Sequence, residues 1–483
     1  MPGYEVSWNC YDRLISHEMK TGPNGQPYYD KDKFKPELAD DMNIGDMSVT
    51  FKLKKNATFQ DGTPVKAKDV KWSLDRAVTV GGFPTFQMRA GSLTKPEQFV
   101  VVDDTTVRVD FMKKDRLTIP DLAVVVPAIY NSELVKKNAT EKDPWGMEYT
   151  KLNTAGSGAY RVVNWTAGTE VVMERNDNWK GGPLPKIKRV IWRMVPSAGN
   201  RRALLERGDA DISYELPNQD FAEMKRDGKV NVVSLPISNG IQYLGMNVTQ
   251  PPFDNLKARQ ALMLAIAQED FLRAQVGDPE IYRVCNAPLV CGSKYEKSYG
   301  DLLIKPDFEK AKALLKEAGY DGTPIVLMQS TDLQVLTNLA PVAKAQMERA
   351  GFKVDLVSMD WQTLVARRVK KEPPSQGGWH AFLTSWVAAD ILNPVMTGFL
   401  NASCDSANWG WPCDQQMEKL RDDFARETDP ARQKAIAEQV QLRVIEYPTH
   451  VILGQFTQPT GLRTNIDGLL HTTALALWNV EKK

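Results

Sequence analysis

Between Leu38 and Ala77 the chain reads LADDMNIGDMSVTFKLKKNATFQDGTPVKAKDVKWSLDRA, and no other stretch constrains the fold as tightly. Val49, Phe51 and Leu53 alternate with Thr50, Lys52 and Lys54, the period of two required by a strand with one buried face. Asp61-Gly62-Thr63-Pro64 then reverses the chain, with Gly62 free to take positive φ and Pro64 fixing the exit. After the turn, Val70 and Leu74 stand four apart, as on a helix laid against a core. Strand, turn and helix in this order predict a β-turn-α unit.

Further segments follow in sequence. Gly156-Ser157-Gly158-Ala159-Tyr160 has the small residues of a phosphate cradle, but a cradle needs a helix directly after its glycines. Here Arg161-Val162-Val163-Asn164-Trp165 is β-branched and aromatic, so a strand follows and nucleotide binding is not expected. Glu174-Arg175-Asn176-Asp177-Asn178-Trp179 reads as a turn, and Ala203 to Ile212 as a helix stopped at Gly208 and leading into a strand. Pro252-Phe253-Asp254-Asn255-Leu256 precedes a helix carrying Ala258, Arg259, Ala261 and Leu262. Together with Tyr11-Asp12-Arg13-Leu14 and the ending Trp478-Asn479-Val480, these elements resemble, in the same order, those of the family 5 solute-binding proteins of ABC importers. That group includes oligopeptide- and dipeptide-binding proteins.

The resemblance implies an α/β fold, a periplasmic-binding-protein-like two-lobed clamp of class II, cluster C type, with an extra α/β domain. It places residues 1–29, 152–237 and 445–483 in lobe I, 30–151 in the additional domain, and 238–444 in lobe II. It implies a substrate-binding component that captures a peptide or other polar small solute and hands it to an ABC permease in the membrane, as a monomer without cofactor. A chemosensory or signalling receptor of the same fold is the alternative, and a hydrolase a more distant one. The implied location is periplasmic, or extracellular with a membrane anchor. Met1-Pro2-Gly3-Tyr4-Glu5 has neither the basic start nor the apolar run of an export signal, so the signal and the family's first strand are expected to be missing here.

Composition agrees. Lys and Arg total 61 against 60 for Asp and Glu, so no basic excess draws nucleic acid or an anionic membrane. A length of 483 residues requires more than one core. The four histidines, His17, His380, His450 and His471, are dispersed and form no metalloprotease-like array. No nucleophile elbow, Walker lysine or dinucleotide glycine pattern occurs, so neither catalytic residues nor a metal site are expected.

Of the five cysteines, Cys285 and Cys291 flank a five-residue loop, and Cys404 and Cys413 flank a tight one containing Gly410-Trp411-Pro412. Both spacings allow a local disulfide in an oxidising compartment, the alternative being buried thiols; Cys10 is left over. Later elements read as α/β. Asp307 caps a helix with Ala311, Leu314 and Leu315 inward, Ile325 to Met328 is a strand, Leu333 to Ala350 a helix, and Phe352 to Val357 a strand.

Five of the twelve tryptophans, Trp361, Trp379, Trp386, Trp409 and Trp411, lie between positions 361 and 411. Indoles supply broad apolar walls with one donor each, which suits a pocket that desolvates its ligand. Ser385 and Trp386 are the leading ligand-binding candidates, with Trp409, Trp411, Tyr160 and Gly158 behind them. In peptide-binding members the segment similar to Ser385–Asp390 carries a tryptophan and then a loop aspartate that pairs with the peptide amine. Asp390 falls four positions after Trp386, where those members have three, leaving Ala389 as the alternative ligand-facing residue. Dipeptide-binding members also carry an arginine near the equivalent of Ser330 to Leu336, and this chain has none there. Arg367 and Arg368 are expected to lie solvated on an exposed helix.

Overall fold

The structure is a computed structural model that describes residues 3–21, 27–112, 118–214, 216, 220–233, 240–333, 335–470, 472 and 474–483. Two compact units emerge. Met1–Ser213, Lys229–Asn231 and Gly461–Lys483 form the first, and Tyr214–Gly228 with Val232–Thr460 form the second.

In the first unit, the β-turn-α stretch forms as its periodicity predicts. Strand Ser48–Leu53 buries Val49, Phe51 and Leu53, and helix Ala67–Thr79 buries Val70 and Leu74. Between them Gly62 has φ +86°, and the Asp61 carboxylate accepts the Thr63 N–H at 3.0 Å, the side-chain-to-backbone bond that makes aspartate a turn former. Ser48–Leu53 lies inside a four-stranded antiparallel sheet, between Ala39–Ile44 and Thr106–Asp110, with Phe99–Asp103 at the far edge. Helix and sheet share a core that also takes in Leu14 and Ile15. A separate antiparallel sheet joins Tyr160–Thr166, Glu170–Arg175 and Arg189–Arg193, so a strand does follow the Gly156–Tyr160 turn.

The second unit is built on a six-stranded sheet in the order Tyr282–Arg283, His450–Phe456, Gly240–Met246, Ala381–Val387, Ile325–Ser330, Val354–Met359. The last three strands run parallel to one another; the other pairings are antiparallel. Every residue of Gly240–Met246 and of His450–Phe456 is buried, the mark of strands covered on both faces. Leu244, Leu327, Leu383 and Leu453 face helices Leu256–Leu264, Phe308–Glu317 and Leu339–Arg349. Ile241, Tyr243, Phe382 and Ile452 pack on the other face, with Leu364, Trp379, Ile391 and Phe399 over them.

One expectation needs correction. The helix predicted from Leu333 begins only at Leu339, because Pro341, lacking an N–H, is tolerated in a first turn but not in a helix interior. His450–Phe456 is held by strands of the second unit on both sides, and Gly461–Lys483 groups with the first unit. Tyr214–Gly228 groups with the second unit, where Phe221 packs with Leu272, Val276, Ile281 and Phe456. The boundary expected at 237/238 lies outside the described residues. Among the described residues no helix is long and apolar enough to cross a membrane.

Candidate functional site

Trp386 is the sixth residue of strand Ala381–Val387, directly opposite Ile241, which in turn faces Gln455 on the next strand. Side chains opposite one another on paired strands share a sheet face, so Trp386, Ile241 and Gln455 form one row across three strands. The indole is half-buried and meets Phe399 edge-on at 6.0 Å between ring centroids. Phe399 rests on Tyr243 at 4.8 Å and on His450 at 5.1 Å, so buried rings set the height of Trp386.

The other end of the row is fixed by amides. The Gln455 side chain accepts the Cys291 N–H at 2.6 Å and donates to the Cys291 carbonyl at 3.2 Å. Gln268 does the same for Cys285, accepting its N–H and donating to its carbonyl, each at 2.8 Å. Cys285 and Cys291 are disulfide-bonded, and Val290 of their loop packs into the same core as Ile241 and Trp386. One residue along, Gln242 faces the opposite side beside Ser385; its side chain donates to the Val335 carbonyl, while its Oε1 is buried without a partner. A buried acceptor left unmatched is costly, which is why such atoms mark places where water or ligand completes the bonding.

The remaining sequence candidates separate. The side chains of Ala389 and Asp390 lie outside the described residues. Trp409 and Trp411 pack against the same core as Trp386 but at its other end: the Gly410 carbonyl accepts the Val248 N–H at 3.1 Å, beyond the far end of strand Gly240–Met246, and Phe382 and Phe399 lie between Trp409 and Trp386. From Ile241 to Met246 the strand climbs about 17 Å at ~3.3 Å per residue, so closeness in sequence is undone by strand length. The Cys404–Cys413 disulfide closes the loop that carries both indoles. Gly410, at φ +96°, lies so close to the sheet that a Cβ there would stand 2.1 Å from the Met246 carbonyl oxygen.

Gly158 and Tyr160 lie in the first unit, where packing accounts for both. A Cβ on Gly158 would stand 2.4 Å from the Cys10 carbonyl carbon. Tyr160 is wholly buried, its hydroxyl donates to the Ile187 carbonyl at 3.1 Å, and burial pushes its pKa up to about 12. Asp12 gathers the turn, accepting from the Ser157 hydroxyl at 2.9 Å and from the Trp179 indole N–H at 3.1 Å. Burial, only partly offset by these donors, raises the Asp12 carboxyl above its usual range.

Sequence reasoning missed Gln242 and Gln455; the available signal was a glutamine inside each of two otherwise apolar strand segments, GIQYLGM and HVILGQF. It also misplaced Arg368, whose guanidinium stacks on Trp409 with 3.4 Å between the guanidinium carbon and the ring centroid. Among the described residues no three His, Cys, Asp or Glu side chains gather as a metal-holding group.

Comparison with known proteins follows this geometry. A family model described as bacterial extracellular solute-binding proteins, family 5 Middle, matches residues 33–410. A probable peptide ABC transporter periplasmic-binding protein, y4tO, of Sinorhizobium fredii is 29% identical, over 98% of this chain and 88% of its own length. The glutathione-binding protein GsiB of Pectobacterium atrosepticum is 28% identical, over 90% of this chain and 83% of its own. Among solved structures, the binding protein AgaA of A. tumefaciens R10, in complex with agropinic acid, superposes with a TM-score of 0.85 at 21% identity, covering 100% of this chain and 94% of that one.

Proposed function

Because the chain belongs to the bacterial extracellular solute-binding proteins of family 5, we propose that it captures a peptide, or a polar solute of similar size, outside the cytoplasm and delivers it to the permease of an ABC importer. The relatives named above are binding proteins, one for peptides and one for glutathione, and none is named as an enzyme. The observation that carries the reading to particular residues is the row Trp386–Ile241–Gln455, where a half-exposed indole stands on a rigid aromatic base beside a disulfide-closed loop. A preset apolar wall lets a solute be desolvated without ordering the protein first. Asp390 in the turn after Trp386 supplies a polar contact in this reading, with Ala389 as the alternative ligand-facing residue, whereas Ser385 pairs with Gln242 on the other face of the sheet. A scavenger that must also release its cargo works near micromolar Kd, about −8 kcal/mol.

The same proposal takes residues 30–151 as an additional domain and the protein as a monomer. Its test is denaturing mass spectrometry of the purified protein for a co-purified compound, with calorimetric titration of di- to pentapeptides in parallel. A retained peptide, or saturable one-to-one binding by part of the set, is the expected result. A retained compound of another class with no peptide binding would remove the peptide half of the proposal, and neither a retained compound nor binding would remove the whole.

A further inference from the structure

We propose that Arg368 is the anchor of a second binding site, for the carboxylate of a small organic acid, on the flank of the second unit formed by helix Trp361–Arg367 and the Cys404–Cys413 loop. This site is separate from the Trp386 row and does not depend on it. Phe382, on which Trp409 stands edge-on at 6.2 Å, precedes Trp386 by four strand positions, about 13 Å.

The backbone of Arg368 is held from two sides. Its N–H donates to the Leu364 carbonyl at 2.9 Å, and its own carbonyl accepts the Trp379 indole N–H at 3.1 Å. The guanidinium carbon lies 3.4 Å from the Trp409 ring centroid, 5.3 Å from that of Trp361 and 5.9 Å from that of Phe382. Trp409 is set in place by a loop closed by a disulfide and pressed on the sheet at Gly410, so the aromatic wall is rigid.

What the site lacks is an acceptor. A guanidinium carries five N–H donors, and among the described residues none of those on Arg368 meets a hydrogen-bonding atom or a carboxylate. Burial alone pushes its pKa down to about 10, with no acidic group opposing the shift. Its neighbours differ: the Arg367 guanidinium donates to the carbonyls of Gly377 and Gly378, and Lys371 pairs with Asp405 at 2.7 Å. Stacking on indole compensates part of the desolvation but satisfies no donor. Nε is buried without a partner, while the residue as a whole stays partly exposed, which leaves the Nη1–Nη2 edge as the place for an incoming acceptor in this proposal. A planar carboxylate matches two parallel donors on that edge, whereas a spherical anion meets them at one point.

The test uses the full chain and follows the Trp409 indole N–H by NMR, assigned through Trp409→Phe, while sodium acetate replaces sodium chloride at fixed ionic strength. A saturable displacement is expected, half-complete below roughly 50 mM, as suits a single bidentate contact worth about 2 kcal/mol. It should vanish in Arg368→Met and weaken at least about threefold in Arg368→Lys, which keeps the charge and loses the fork. No saturation by about 200 mM acetate, or the same displacement in Arg368→Met, overturns the site. Equal binding by Arg368→Lys, or equal response to chloride, overturns carboxylate recognition. Should Arg368→Met fail to fold, the Lys variant and the acetate–chloride contrast still decide.

Discussion

The Gly156–Tyr160 turn of the first unit and the Trp386 end of the sheet in the second both look like binding elements in sequence, yet they use their polar groups in opposite ways. Around the turn, Asp12 takes the donors of Ser157 and Trp179, Asn176 donates to the carbonyls of Ser157 and Gly158, and Tyr160 donates to Ile187. At the sheet end, an indole stays half-exposed on one face, while on the other face the Gln242 Oε1 is buried without a partner among the described residues. A polar network closed on itself is scaffold, whereas a half-exposed indole on a fixed aromatic base leaves apolar surface for a ligand to cover.

This contrast breaks first at Gly158. Gly158→Ala forces a Cβ into the Cys10 main chain and should destabilise the first unit by about 3 kcal/mol without lowering solute affinity in the folded fraction, as urea unfolding followed by titration would show. Trp386→Ala is the converse, weakening affinity at least about tenfold, or 1.4 kcal/mol, with an unchanged urea midpoint. An affinity loss in the first variant and none in the second would exchange the roles of the two regions.

Acid should separate the units further. Burial pushes His380 down to about 4 and His450 down to about 3, so between pH 6.5 and 4 the unfolded chain binds protons that the folded second unit refuses, and its stability falls with pH. In the first unit, burial pushes Glu37 up to about 7 against the pull of Arg13, and raises Asp12. There the folded state takes up protons more readily, a contribution fully present below about 4.5 and lost as pH rises through 7. Hydrogen exchange at pH 7 and pH 5, corrected for intrinsic rates, should show protection falling in strand His450–Phe456 relative to strand Ser48–Leu53. Equal changes in the two strands would refute the opposition. The smallest effect is expected from Tyr160→Phe, a loss of about 1 kcal/mol in stability for one buried hydrogen bond and no change in affinity by calorimetry.

Much of this was legible before the structure, where local periodicity decided the outcome. Val49, Phe51 and Leu53 alternate with Thr50, Lys52 and Lys54 as one face of a strand does, and Val70 with Leu74, following the turn at Asp61–Pro64, stand at helical spacing; both readings match the structure. What was not legible depended on partners distant in the chain. The strand HVILGQF reads as buried whichever unit holds it, and only its pairing with Gly240–Met246 assigns it. Arg368 is on a short polar helix in sequence, and the indole that stacks on it arrives from position 409. Trp386, Trp409 and Trp411 cluster in the sequence and share one core, but stand at opposite ends of a strand.

The place of His450–Phe456 in its sheet bears on when the protein can fold. This strand fills the position between Gly240–Met246 and Tyr282–Arg283, and the first unit likewise needs Gly461–Lys483. During synthesis, therefore, neither unit can close its core until its late segment, His450–Phe456 for the second and Gly461–Lys483 for the first, has left the ribosome. The pairing of residues some two hundred positions apart also makes the final step slow, since a long loop must close before the contacts reward it. A nascent chain that stays open this long keeps a form that can be threaded through a narrow pore, and in the meantime its unpaired apolar strands are exposed to aggregation.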